Sequence, residues 1–178
     1  MSITTRSQLA AYVKNRGRII TEHRAGAQVY GARITTIFLS HSHVDQDLVV
    51  FAQLLFMKER AETYIDHKDP DMPQVTSPQT ARQLKAKIRD NHKFVMLATQ
   101  RSLSSAWVPW ELGYADGAKS WHGLAVLLVQ EYSGEWEGSE YIGLYPQIQH
   151  LGGEDWRVVD AEGSIIRSRT LGDWLYIQ

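Results

Sequence analysis

The sequence predicts an α/β fold in which a mainly parallel β-sheet carries helices on both faces. Short apolar runs that are typical of strands alternate with longer stretches whose apolar residues recur at helical spacing. The strand-like runs, such as residues 124–129, are apolar almost throughout, which is typical of parallel strands buried on both faces. With 178 residues, the chain is long enough for one domain with a substantial core.

Four strands and four helices are predicted up to residue 130. In chain order they are helix 5–16, strand 34–39, helix 46–60, strand 62–66, helix 78–90, strand 94–98, helix 107–119 and strand 124–129. Polar caps and prolines mark the helix starts. Asp45 can cap the helix that follows it, and Ser77 is a cap followed by Pro78 at the first helical position. Pro109 lies likewise in the first turn of the helix that opens near Trp107.

The pattern weakens after residue 130, where glycine, tyrosine and acidic residues become frequent. Residues 156–159 and 164–167 predict a hairpin, or a fifth strand with a turn, and residues 171–177 predict a closing helical turn. We therefore divide the chain into an N-terminal helix and connector over residues 1–33 and a main domain over residues 34–178. The main domain carries a C-terminal extension from about residue 131.

The predicted strands fit a flavodoxin-like, doubly wound sheet of about five strands in the order 2-1-3-4-5. In open α/β sheets, ligands bind outside the carboxyl ends of the strands where the order reverses, which here is between strands 1 and 3. That rule places Ser40 to His43 opposite the segment from Thr99 to Glu111. The two segments are predicted to form the walls of a cleft.

Glu111 is the candidate catalytic residue of this cleft. It falls about one turn into its predicted helix and points back towards the end of the preceding strand. An acid at that place can also simply stabilise the start of the helix, by up to about 1 kcal/mol. Trp107 lies four residues earlier on the same helix face. Single tryptophans most often serve packing, but an aromatic plane beside a carboxylate suits a flat cationic ligand, because cation–π stacking contributes about 0.5–2 kcal/mol.

The other polar residues of the two walls give weaker signals. His41 and His43 alternate across a strand end, so their side chains are predicted to point to opposite sides, and no metal site is predicted. His41 or Ser42 is instead expected to line the cleft. The serines of the segment 102–105 could cradle a phosphate, but serines before a helix usually cap it.

Composition and missing motifs exclude several function classes. The chain has 19 basic and 20 acidic residues and a formal net charge of −1, which gives no support for a general nucleic-acid binder. The absence of cysteine excludes disulfides, thiolate zinc sites and cysteine nucleophiles. Neither a GxGxxG motif nor a P-loop occurs, so no standard dinucleotide or nucleotide fingerprint is present. Because no signal-peptide core or membrane-length apolar run is found, we expect a soluble, cytoplasmic protein without membrane partners.

Three short strings occur together, in order, between residues 37 and 112. Ile37-Phe-Leu-Ser-His-Ser-His-Val-Asp45 resembles the first strand and following loop of TIR (Toll/interleukin-1 receptor) domains. Tyr64-Ile-Asp66 resembles their second strand, and the proline-bearing loop after it resembles their BB loop, although the glycine common in that loop is absent here. Ser104-Ser-Ala-Trp-Val-Pro-Trp-Glu-Leu112 is similar to the segment of NAD-cleaving TIR domains in which a tryptophan stands four residues before the catalytic glutamate. The resemblance covers about residues 34 to 130.

The resemblance implies an NAD⁺ hydrolase or cyclase of the bacterial anti-phage Thoeris type. Such an enzyme breaks the nicotinamide–ribose bond and gives ADP-ribose or a cyclic ADP-ribose isomer. It implies that Glu111 is the catalytic carboxylate, that Trp107 packs against the nicotinamide, and that Ser40, His41 and Ser42 border the substrate. NAD⁺ is then the substrate, and no cofactor is implied. A homo-oligomer formed through TIR contacts and a separate effector that senses the product are the implied partners.

Two alternatives stay open at this point. Glu111-Leu-Gly-Tyr-Ala115 before an apolar strand also resembles the glutamate segment of nucleoside deoxyribosyltransferases. The first strand of that family usually ends in a turn containing glycine and proline, however, which Ser40-His-Ser-His43 is not. The other alternative is a non-catalytic TIR interaction module, in which Glu111 and Trp107 would be dispensable.

Overall fold

The structure is a computed structural model that describes residues 4–16, 34–73, 75–130, 140–160 and 169–177. It is an α/β fold with a mostly parallel sheet, which confirms the predicted class. The described strands are β1 (Thr4–Thr5), β2 (Thr35–Ser40), β3 (Ala61–Tyr64), β4 (Lys93–Ala98), β5 (Leu124–Gln130), β6 (Gln147–Gly152), β7 (Asp155–Val159) and β8 (Arg169–Thr170). The described helices are α1 (Arg6–Arg16), α2 (Gln46–Lys58), α3 (Pro78–Asp90), α4 (Gln100–Leu103), α5 (Trp107–Ala118) and α6 (Leu171–Tyr176). None of these helices is long and apolar enough to cross a membrane.

The sheet runs in the order β3-β2-β4-β5-β6-β7-β8, and β1 pairs with the end of β5. Neighbouring strands from β3 to β6 are parallel, whereas β7 is antiparallel to both β6 and β8. The prediction of about five strands in a simple flavodoxin-like order is therefore wrong in extent, because the sheet is mixed and contains eight strands within the described residues. The order does reverse between β2 and β4, where the cleft is expected.

The C-terminal part of the sheet contains a hairpin that the sequence did not predict, formed by β6 and β7. β6 turns back directly into β7 through Gly152 and Gly153, whose φ angles of 117° and 56° lie in the left-handed region that favours glycine. The partner predicted for this strand, residues 164–167, lies outside the described residues. The closing helical turn is confirmed as α6. Thr170 is its N-cap, and the Thr170 side chain accepts a hydrogen bond from the backbone N–H of Asp173.

The central strands send alternate side chains into two apolar clusters, one on each face of the sheet. Ile37 of β2 packs in the cluster that α1, α2 and α6 cover, and its neighbour Phe38 packs in the cluster covered by α3 and α5. Leu9 brings α1 into the first cluster with 2% of its surface exposed. The helices thus cover both faces of the sheet. They leave the carboxyl ends of β2 and β4 for polar residues such as Ser40 and Glu111.

Candidate active site

Ser40 and Glu111 meet where the strand order reverses. Ser40 is the last residue of β2 and stands in register with Met96 of β4, and α5 packs on these two strands. The Ser40 hydroxyl Oγ donates a hydrogen bond of 2.5 Å to Oε2 of Glu111. Both residues are enclosed, with 1% of Ser40 and 4% of Glu111 exposed. The two predicted walls are therefore in contact through a buried carboxyl group.

The surroundings of Glu111 raise its pKa to about 8. Burial is the main cause, because an ionised carboxylate loses its hydration in this position. The Ser40 hydrogen bond opposes burial and lowers the pKa, whereas the negative charge of Asp66 raises it further. The carboxyl group is therefore mainly protonated at neutral pH. A titratable group perturbed in this way at the edge of a sheet is a typical mark of a functional site.

Two successive caps determine where α5 begins and hence where Glu111 points. Thr99 and Ser102 form a capping box at the start of α4, with the Ser102 N–H bonded to Thr99 Oγ1 at 3.0 Å. Ser105 Oγ then accepts the backbone N–H of Trp107 at 3.2 Å. Ser102 and Ser105 thus accept backbone N–H groups, as expected of caps, whereas the Ser104 hydroxyl donates to the carbonyl oxygen of Gln100 and caps no helix start.

Trp107 lies one turn before Glu111 on α5 and is half-buried. Its ring meets that of Trp110 edge to face, with 5.2 Å between the centroids, and Trp110 stacks in turn on Tyr114. Aromatic packing therefore fixes the orientation of Trp107 while part of its surface stays accessible. Its spacing of one helical turn from Glu111 is the geometric link between the two residues.

Asp45 holds the two walls together and does not cap α2 as predicted. Its carboxylate makes no capping bond to the helix and is fully buried. Oδ2 accepts a hydrogen bond of 2.7 Å from Thr99 Oγ1, and Oδ1 accepts one of 3.0 Å from Arg6. Arg101 adds a third contact at 3.5 Å. The cap prediction is wrong because charged partners from α1 and α4 compete for the carboxylate more strongly than one backbone N–H does.

His41 and His43 lie on the same side, which contradicts the alternation that predicted opposite sides. Their ring centroids are 6.2 Å apart, and the ring of His67 lies 5.0 Å from the first and 5.7 Å from the second. β2 already ends at Ser40, so strand alternation no longer governs the residues that follow. We call His41, His43 and His67 the three-histidine cluster.

The three-histidine cluster contains one residue, His67, that the sequence did not single out. It follows β3 in a 3-10 turn, Asp66–Lys68, and β3 lies directly beside β2. Applying the rule of shared carboxyl ends to β2 and β3, and not only to β2 and β4, would have found it. Burial is the main cause that lowers the pKa of both His41 and His67, so the neutral imidazole forms are favoured.

The structure brings only two of the five predicted site residues into direct contact. Ser40 and Glu111 are in direct contact, and His41 comes next to Ser40 with 7% of its surface exposed. Ser42 lies on the turn after β2 and is partly exposed. Its backbone oxygen accepts a hydrogen bond of 3.0 Å from the backbone N–H of Asp45. Trp107 is joined to Glu111 through α5. The catalytic and substrate-binding roles of all five stay predictions.

Comparison with known proteins adds a named relative. A scan against models of protein families finds no match. Over 147 residues the chain is 30% identical to a Bacillus cereus (strain MSX-D12) protein named "Probable 3' cyclic ADP-D-ribose synthase ThsB'". The alignment covers 81% of this chain and 69% of that protein, and so extends well beyond the strings between residues 37 and 112. The chain therefore belongs to the Thoeris-like family of bacterial TIR-domain NADases.

Proposed function

We propose that this protein cleaves the nicotinamide–ribose bond of NAD⁺ and forms a cyclic ADP-ribose isomer that serves as a signal in anti-phage defence. The observation that carries the proposal is the buried carboxyl group of Glu111, held by Ser40 at the reversal of strand order and one turn after Trp107. Family membership and the name of the Bacillus cereus relative support the same chemistry.

Glu111 acts on the charge that appears as the bond breaks. The bonding electron pair leaves with nicotinamide, which becomes neutral, and positive oxocarbenium character develops on the anomeric carbon of the ribose. A fixed carboxylate in a site of low dielectric constant stabilises that charge more strongly than it would in water. Because the leaving group departs as a neutral base, no general acid is needed. One carboxylate therefore suffices.

Substrate binding and the ionisation of Glu111 are coupled in this mechanism. The carboxyl group is mainly protonated near neutral pH when the site holds no substrate, because burial raises its pKa to about 8. The pyridinium ring of NAD⁺ carries a positive charge, and an opposite charge within about 4–6 Å favours an ionised carboxylate. We therefore expect NAD⁺ binding to release this proton, so that the substrate itself generates the active form.

The neighbouring residues position the substrate. The accessible part of the Trp107 ring provides a flat surface for the pyridinium ring, with a stacking contribution of about 0.5–2 kcal/mol. Ser40 holds the carboxylate in one orientation through its hydroxyl group. His41 and Ser42, which follow Ser40 at the same sheet edge, border the substrate in this proposal.

The access of water decides which product forms. Linear ADP-ribose requires a water molecule to attack the anomeric carbon, whereas a cyclic isomer requires a nucleophile from the substrate itself. The enclosure of Glu111 and Ser40 disfavours water at this position and so favours cyclisation. We also propose that the product acts on a separate effector protein and that copies of this chain assemble through TIR contacts.

The test is nicotinamide release from NAD⁺ by the wild type and by Glu111→Gln, measured over a range of protein concentrations and under crowding. We expect Glu111→Gln to lower the rate at least about 100-fold, the typical cost of losing one electrostatic stabiliser. The matched control is Glu62→Gln, which changes an exposed glutamate on β3 and should leave the rate unchanged. Mass spectrometry identifies the product, because a cyclic isomer is lighter than ADP-ribose by one water.

Three other outcomes would overturn the proposal or part of it. Equal release by the wild type and Glu111→Gln would remove Glu111 from the mechanism. Cleavage of deoxynucleosides but not of NAD⁺ would favour a deoxyribosyltransferase. If the folded protein releases no nicotinamide under any assembly condition, the chain is an interaction module.

A further inference from the structure

The three-histidine cluster lies at the carboxyl edge of β2 and β3, beside the candidate active site. Each ring contributes one nitrogen to a group in which all three atoms lie within 4.8 Å of one another. The closest pair, His41 Nε2 and His67 Nδ1, is 3.1 Å apart. Two separate turns, after β2 and after β3, supply these rings. Parallel pairing of the two strands therefore brings them together.

The backbone prepares His41 to be a ligand. Its Nδ1 lies 3.0 Å from the carbonyl oxygen of Leu39, which can only accept, so Nδ1 carries the proton. The neutral ring then presents the lone pair of Nε2 towards His67. Histidines that bind metals usually donate their other N–H to a backbone carbonyl or a carboxylate in this way, which fixes the tautomer and the ring orientation.

The spacing of the nitrogens also suits a metal ion. Zn–N bonds of about 2.1 Å at tetrahedral angles place neighbouring nitrogens about 3.4 Å apart, close to the separation in the His41–His67 pair. His43 is exposed, so rotation of its side chain can bring its nitrogen from the wider separation to bonding distance. Asp66 Oδ1 lies 3.8 Å from His67 Nδ1 and supplies a compensating negative charge.

We propose that His41, His43 and His67 form a binding site for a divalent transition-metal cation of the zinc type. Three neutral imidazoles are the donor set that zinc, copper and nickel accept, and they leave a coordination position open. The alternative is a purely structural contact, in which His67 donates to His41 and His43 only packs nearby. A metal site predicts that removing His43 or His67 weakens metal binding, whereas a structural contact predicts no such change.

The experiment measures metal binding directly on the full, tag-free chain. Zn²⁺ is titrated by calorimetry, and Co²⁺ serves as a spectroscopic probe because its visible absorption reports nitrogen coordination and geometry. We expect one equivalent to bind the wild type, and His43→Ala and His67→Ala each to weaken binding at least about tenfold. Both variants change accessible side chains and are checked for folding by circular dichroism. The matched control is His122→Ala, an exposed histidine before β5 at the opposite edge of the sheet.

Two results would overturn the site. One is the absence of stoichiometric Zn²⁺ binding by the wild type, and the other is equal weakening by His122→Ala and His67→Ala. Binding is also measured on Glu111→Gln at about pH 6, where Glu111 of the wild type is protonated and as neutral as glutamine, so that both should bind Zn²⁺ equally. A protein that binds the metal but never cleaves NAD⁺ would therefore refute the proposed function alone, and the reverse result would refute the metal site alone.

Discussion

Replacing Glu111 by glutamine should stabilise the protein in a pH-dependent manner while it strongly slows the proposed catalysis. Glutamine has nearly the shape of protonated glutamic acid and keeps an oxygen that can accept the hydrogen bond from Ser40. The ordinary pKa of the carboxyl group is 4.5, and folding raises the pKa to about 8. Between these two values the native state holds a proton that the unfolded state has lost. The free energy of unfolding of the wild type therefore falls as the pH rises through this window.

The magnitude follows from the difference of one bound proton. The slope is about 1.4 kcal/mol per pH unit, so the wild type should lose about 2 kcal/mol relative to Glu111→Gln between about pH 6 and pH 8. The difference should level off above the folded-state pKa of about 8. Urea unfolding of both proteins at several pH values measures it, because the other titrating groups cancel when the two curves are subtracted.

Parallel stability curves for the two proteins would refute this reasoning. They would show that Glu111 has the same pKa in the folded and unfolded states, and hence that its burial does not hold the carboxyl group neutral. A variant that becomes less stable relative to the wild type as the pH rises would contradict even the sign of the pKa shift.

Three further predictions concern the charges around the cleft. Ser40→Ala removes the hydrogen bond that lowers the pKa of Glu111, so the rising limb of kcat/KM against pH should move to higher pH. Asp66→Asn removes the charge that raises this pKa, so the limb should move to lower pH, and shifts of the same sign in both variants would contradict the assigned causes. Asp45→Ala removes the fully buried acceptor that joins the two walls, and urea unfolding should show a loss of about 3 kcal/mol. Asp47→Ala, whose carboxylate is 57% exposed, should cost less than about 1 kcal/mol, and equal losses would show that the buried contacts of Asp45 stabilise the protein no more than the exposed pair does.

The central part of the fold could be predicted because its signals are local. β5 is an uninterrupted apolar run, and α3 begins at a serine cap followed by proline, which the structure confirms through the bond from Thr80 N–H to Ser77 Oγ. The edge of the sheet could not be predicted in the same way. β6 mixes glutamine, histidine and glycine and is only partly buried, so its place is determined by pairing with β5 and β7 and not by its own pattern.

The candidate site could likewise be predicted only where the order of the strands was enough. The rule for strand ends was enough to bring Glu111 opposite Ser40, because it needs only the order of the strands. It could not predict the enclosure that raises the Glu111 pKa, which depends on side chains from several elements. Asp45 was assigned the wrong role and His67 was not singled out because their partners are distant in sequence, with Arg6 39 residues and His41 26 residues away.

Asp66 lies between the three-histidine cluster and Glu111 in charge terms, and it gives the proposed metal site a consequence for the proposed catalysis. Its negative charge raises the pKa of Glu111, and its Oδ1 lies 3.8 Å from His67 Nδ1. A divalent cation held by the three-histidine cluster would bring positive charge beside Asp66 and would thus lower the Glu111 pKa. We expect one equivalent of Zn²⁺ to move the rising limb of kcat/KM to lower pH in the wild type and to leave the limb of His67→Ala in place. If the limb of the wild type stays fixed while the metal is bound, the cluster and the carboxyl group are electrostatically independent, and Asp66 affects each of them separately.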